Sequence, residues 1–101
     1  MSDNILRKLF LGFIQIHILY HAKKEAFFGS WMIEELKEHG YSMSPGTLYP
    51  ILHKLNKEGI LEVEKRVVEG KERKYYSITS KGEKVLEEAK IKMKELSKEI
   101  I

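Results

Sequence analysis

The densest chemistry in this sequence lies in the run Ser44-Pro-Gly-Thr-Leu-Tyr-Pro50 and the basic residues after it. Ser44 and Thr47 offer hydroxyls, Tyr49 a ring with a phenol, and His53, Lys54 and Lys57 imidazole and ammonium groups. Such groups hydrogen-bond to phosphate oxygens and to the edges of bases. A Lys pair equally suits a plain solvated helix face. Pro50 favours the functional reading. Inside a helix it lacks the N–H that would bond to the Gly46 carbonyl, a defect worth about 3 kcal/mol. Gly46, one turn earlier, leaves no side chain to crowd the ring. A local rule broken beside a well-formed helix start is what functional surfaces tend to show.

A second basic patch follows. Between Glu64 and Lys74, five basic residues (Lys65, Arg66, Lys71, Arg73, Lys74) outnumber three acidic ones (Glu64, Glu69, Glu72), and two of the chain's three arginines stand here. The planar fork of Arg binds phosphate oxygens in pairs and enters narrow minor grooves. A solvated hairpin of mixed charge is the bland alternative. A third group, His17, His21 and Glu25, has i, i+4, i+8 spacing that could hold a divalent metal on one helix face. In so apolar a segment, packed or interface imidazoles are the expectation, and no metal or cofactor is assigned. The sequence contains no nucleophile–base set and no phosphate-cradling glycine loop, so an enzyme is not expected.

The elements that position these residues follow from periodicity. Asp3 to about Lys24 reads as a helix, with apolar residues at Ile5, Leu9, Phe13, Ile16 and Tyr20 and also at Leu6, Phe10, Ile14 and Ile18. That is wider than one stripe, so the helix must be covered on more than one face. Phe27-Phe28-Gly29 reads as a break, and Ser30 as the cap of a second helix to about His39, with Trp31, Ile33 and Leu36 inward and Gly40 at its end. Ser44 is a suitable N-cap for a third helix, with Pro45 at its first position and Met43 and Leu48 set as a hydrophobic staple. Leu48, Ile51, Leu52 and Leu55 then face the core. Gly46, Pro50, His53, Lys54 and Lys57 face away, Thr47 and Tyr49 lie at the flanks, and Gly59 ends the helix. Beyond Gly59 the period becomes alternating, with Leu61, Val63 and Val67 on one side. Glu69 to Glu72 reads as a turn, and Lys74–Thr79 as the returning strand with Tyr76 and Ile78 inward. Ser80 is placed as the cap of a last helix whose apolar residues (Val85/Leu86, Ala89, Met93, Leu96, Ile100) repeat at 4-3-4-3 spacing, a coiled-coil-like seam.

The sequence predicts a mainly α chain with a β-hairpin, arranged as a winged helix-turn-helix plus a C-terminal dimerisation helix. Residues 1–79 form the expected DNA-binding domain and 80–101 the dimerisation helix. With 101 residues a monomer covers only a modest share of its apolar surface. A homodimer through Ile5, Leu9, Phe13, Leu86, Ala89, Met93, Leu96 and Ile100 is the expected remedy. The absence of cysteine rules out disulfide and thiolate-metal scaffolds. A net charge of +3 permits a phosphate-binding surface without requiring one. Arg7 and Lys8 before the apolar run Leu9–Tyr20 imitate a signal peptide. Gln15 and His17 interrupt that run, however, and it falls short of the roughly 20 residues that span a bilayer. The expectation is a soluble cytoplasmic protein without a membrane partner.

The run Ser44 to Pro50, then Leu52, Leu55, Glu58-Gly59-Ile60-Leu61, Arg73-Lys-Tyr-Tyr76, Ile78-Thr79 and Gly82, resembles the PadR family of transcription regulators. The resemblance implies a winged helix that binds double-stranded DNA, with the first and last helices forming the dimer. It also implies that Ser44, Thr47, Tyr49 and Lys54, with Lys71, Arg73 and Lys74 of the wing, occupy positions that meet DNA. Pro50 and His53 join them on the exposed helix face. The single C-terminal helix resembles the short branch, some of whose members take small hydrophobic compounds between subunits. A hydrophobic effector is therefore one candidate partner, with Trp31 as a possible lining residue beside its simpler reading as core. A winged helix used only for protein contact is the rival, and it would need an apolar third-helix surface.

Overall fold

The computed structural model describes residues 2–101. In chain order the elements are α1 (Ser2–Lys24), β1 (Phe27–Phe28), α2 (Gly29–Glu38), α3 (Pro45–Lys57), β2 (Leu61–Val68), β3 (Lys71–Ile78) and α4 (Ser80–Ile100). The fold is mainly helical with a three-stranded antiparallel sheet in the order β1-β3-β2, and the β2–β3 hairpin is the wing. One apolar cluster joins every layer: Ile14, Ile18, Leu19 and Ala22 of α1, Met32 and Leu36 of α2, Leu48, Leu52 and Leu55 of α3, Phe27, Leu61 and Tyr76 of the sheet, and Leu86 of α4. Among the described residues this core contains no buried charged group, as burial without a partner would penalise one.

The turn joining α2 to α3 has its cause in Gly40. With φ +90 it places its own N–H on the Lys37 carbonyl and the Tyr41 N–H on the Leu36 carbonyl, at 3.0 and 2.9 Å. The end of α3 repeats the motif, with Gly59 at φ +77, Gly59 N–H on Asn56 and Ile60 N–H on Leu55. Both are Schellman closures, in which a residue without a Cβ turns left-handed and satisfies the last carbonyls.

Several local expectations are corrected. Phe27 and Phe28 are a strand rather than a break, paired with Tyr76 and Tyr75 of β3. Phe28, not Ser30, is the N-cap of α2, and no side chain caps that helix. The inward position expected for Trp31 belongs to Met32, which is wholly buried, while Trp31 is 40% exposed. The hairpin turns on two residues, Glu69 and Gly70, both left-handed. Pairing therefore continues out to Val68 and Lys71, as a type I′ turn matched to strand twist allows. Val63 and Val67 share the face of buried Leu61, but they lie beyond the core and are exposed.

The cap of α4 is Thr79, one residue before the Ser80 expected. Its side chain accepts the Gly82 N–H at 3.0 Å, and its hydroxyl hydrogen is shared between the Gly59 and Ile60 carbonyls at 2.5 and 3.0 Å. Lys81 adds an ammonium on the Glu58 carbonyl at 2.8 Å. The start of α4 is thereby tied to the end of α3.

Candidate nucleic-acid interface

The residues nominated on α3 emerge on one surface. Leu48, Leu52 and Leu55 are buried, whereas Ser44, Gly46, Thr47, Tyr49, Pro50, His53, Lys54 and Lys57 are exposed. Ser44 is the N-cap by position, but its hydroxyl meets the Thr47 hydroxyl at 3.2 Å instead of a backbone N–H. The two hydroxyls thus form a small polar pair at the front of the helix. Pro50 is accommodated without ending α3, which runs on to Lys57. The idea that Gly46 spares the Pro50 ring is not upheld. A Cβ at Gly46 would meet only the Ser44 hydroxyl, at 3.8 Å. What Gly46 leaves is bare backbone at the helix start.

Tyr49 is the hinge of the surface. A Cβ on Gly29 would lie 2.5 Å from its ring, so the first residue of α2 has no room for a side chain. Tyr49 then lines a cleft of about 250 Å³ with Phe28, Ser30, Glu72, Arg73 and Lys74. Burial first, and the neighbouring Tyr49 second, hold the Tyr76 phenol above its ordinary range. α3 and the turn-proximal half of the wing therefore share one wall.

The strand register divides the wing's cations between two faces. Lys65 pairs with Lys74 on the face of Tyr76, which packs into the core. Arg66 pairs with Arg73 on the other face, with Lys71 two residues further along. Aromatic rings support both arginines: the Arg73 guanidinium lies 4.3 Å from the Phe28 ring centre and that of Arg66 4.5 Å from Tyr75. A cation over a ring face is held by the ring quadrupole and loses less freedom when it binds. Arg66 is also engaged by Glu64 at 2.6 Å. Sequence reasoning placed Lys65 and Arg66 in the patch but did not single them out, and it missed Phe28 because a two-residue strand is too short to show alternation.

The histidines gather elsewhere. His17 and His21 meet His39 from the end of α2, while Glu25 lies outside the group.

A buried three-helix core with a hairpin wing and an exposed basic third helix defines a winged-helix protein. The family model described as the transcriptional regulator PadR-like family matches residues 18–88, and the chain belongs to that family. It is 43% identical over 88 residues to transcriptional regulator Rv3488 of Mycobacterium tuberculosis, covering 87% of this chain and 82% of that one. Among solved structures, a PadR-like transcription factor of Bacteroides fragilis aligns with TM-score 0.81 and 35% identity over 95% of this chain and 94% of its own. A PadR-like transcriptional regulator of Bacillus cereus aligns with TM-score 0.82 and 33% identity over 90% of each chain. No described helix is long and apolar enough to cross a membrane.

Proposed function

We propose that two copies of the chain form a homodimer that binds double-stranded DNA at specific sites and represses transcription by occupying them. The observation that carries this reading is the shared cleft. Tyr49 of α3 lines one cleft with Arg73 and Lys74 of the wing, so one surface presents hydroxyls and an aromatic group beside cations. In this reading Ser44, Thr47, Tyr49 and Pro50 meet base edges or the adjacent backbone, while His53, Lys54, Lys71, Arg73 and Lys74 meet phosphates. The polar α3 face argues against a module for protein contact alone.

The dimer reading rests on apolar surface that the monomer leaves bare. Ile5, Leu9, Met93, Leu96 and Ile100 are all exposed, and Phe13 and Ala89 are partly so. Large apolar side chains left bare along two helices that pack against each other are what an interaction surface presents. Residues 1–79 supply the DNA-binding unit and 80–101 the dimerisation helix, although Leu86 anchors that helix in the shared core. A cytoplasmic location accords with this role.

A second reading adds an effector. A cleft of about 550 Å³ has Phe13, Ile16, Tyr20, Leu86 and Met93 in its walls beside polar side chains such as His17, Glu35 and Lys90, and its size suits a small compound with an apolar side. Trp31 is not among its walls.

Fluorescence anisotropy against duplexes from the DNA flanking the chain's own coding sequence tests the main proposal. Affinity should fall with salt, log K losing about 0.9 per log unit for each phosphate neutralised. Absence of binding at low salt, or binding indifferent to salt, would refute it.

A further inference from the structure

Apart from the basic surface, α1 and α2 bring three imidazoles together. His17 and His21 stand one turn apart on α1, His39 is the C-cap of α2, and a ring nitrogen of each lies within 4.8 Å of the others. Glu35, one turn before His39, places Oε2 3.4 Å from His21 Nε2 and 3.0 Å from His39 Nε2. The two Glu35 spacings are close to what a tetrahedral ion imposes on its own ligands, and the imidazole nitrogens, within 4.8 Å of one another, would draw in around it. Bonds of about 2.0–2.1 Å at tetrahedral angles set neighbouring donor atoms about 3.3 Å apart. His17 lies tilted by 30° to His39 with ring centres 4.6 Å apart, and its ring nitrogen stands within 4.8 Å of those of His21 and His39.

The surroundings favour a metal over a plain hydrogen-bond cluster. His17, His21, Glu35 and His39 all line the cleft that Phe13, Ile16, Tyr20 and Met93 wall on its apolar side, so the donor atoms converge on one space. Burial is the chief influence that keeps the His17 and His21 imidazoles below their ordinary pKa. An imidazole nitrogen binds such an ion through its lone pair, in the neutral form of the ring. Imidazole nitrogens with one carboxylate and no thiolate suit zinc, cobalt or nickel rather than calcium, magnesium or cuprous ion.

We propose that His17, His21, His39 and Glu35 form a binding site for one divalent transition-metal ion of the zinc class, held between α1 and α2. The ion would cross-link the long first helix to the helix that leads into α3, and so fix their relative placement. Any effect on DNA rests on the regulator reading above; the site itself does not.

Cobalt titration of the metal-free, full-length protein reads the site directly through visible d–d absorption. The wild type should saturate at one equivalent per chain with the intense bands of four-coordination, and zinc should displace them. His39→Gln changes an exposed residue and should leave the fold intact. It should weaken cobalt binding by at least the 10- to 100-fold, in order of magnitude, lost when even a supporting partner of a metal ligand is removed. Glu25→Gln, outside the group, should bind as the wild type does. No saturable band in the wild type, or a cobalt affinity in both His39→Gln and His21→Gln that equals the wild type's, would overturn the proposal and leave a hydrogen-bonded packing cluster. DNA affinity with and without zinc is a separate readout. Zinc-independent DNA binding alongside normal cobalt binding removes the effector role alone, and failure of all DNA binding sinks the regulator reading while the cobalt result stands.

Discussion

At the scale of single residues, the side chains that meet solvent on α3 were legible from helical period, because Leu48, Leu52 and Leu55 fix the inward face and everything opposite follows. The partners of those side chains were not. Gly29 read as part of a loop, and only the fold reveals that Tyr49 lies across it. The same limit applied to the histidines: spacing of four found His17 and His21 but proposed Glu25, since nothing local announces that a turn 18 residues later returns His39 to them. The shared cleft leads to a division of labour. Replacing Arg73 or Lys74 by Ala should weaken all duplexes about equally and lower the salt slope by about 1, as loss of a phosphate contact does. Tyr49→Phe and Thr47→Ala should instead cost the preferred site about 1–3 kcal/mol more than random DNA. Competition binding with specific and scrambled duplexes separates the two effects. An unchanged specificity ratio in both α3 variants would move site selection to the wing or to the shape of the DNA.

At the scale of elements, strong periodicity located all four helices and the hairpin, while their ends were less well marked. Thr79 and Ser80 are chemically interchangeable as caps. The choice between them is made in three dimensions, where Thr79 alone also reaches the Gly59 and Ile60 carbonyls. Trp31 misled for a related reason: its bulk suggests core, but α2 is short and β1 leads into it, and Met32 turns inward in its place beside Leu36, which is buried as expected. The Thr79 junction gives a stability prediction. Thr79→Val keeps the shape but loses the cap and the bond to α3, and it should cost about 1–2 kcal/mol. Ser80→Ala, at an exposed first-turn position, should stay within about 0.5 kcal/mol of the wild type. Urea unfolding midpoints report both. Equal losses would mean that Ser80 carries the cap in solution.

At the scale of the whole molecule, the decisive feature is a mismatch between chain length and apolar content. The core closes around the second half of α1 and the first turns of α4, and it leaves Ile5 and Leu9 near the start of α1 and Met93, Leu96 and Ile100 in the second half of α4 uncovered. The 4-3-4-3 spacing on α4 made this visible in sequence, since exposed helix faces rarely keep an apolar seam. Each subunit of a dimer closed by this seam would present one α3, and two such helices about 34–36 Å apart read successive turns of the same groove. Such a dimer would contribute to affinity as well as to stability. Met93→Glu with Leu96→Glu places two carboxylates per chain in the seam, far from the α3 surface. Sedimentation should show the wild type as a dimer at micromolar concentration and the double variant as a monomer that keeps its helical circular dichroism. The monomer should retain weak, salt-sensitive attraction to any duplex through its wing and α3, yet lose the tight binding that needs two half-sites. A wild type that sediments as a monomer, or a monomeric variant that binds the specific duplex as tightly as before, would break the link between the seam and DNA recognition.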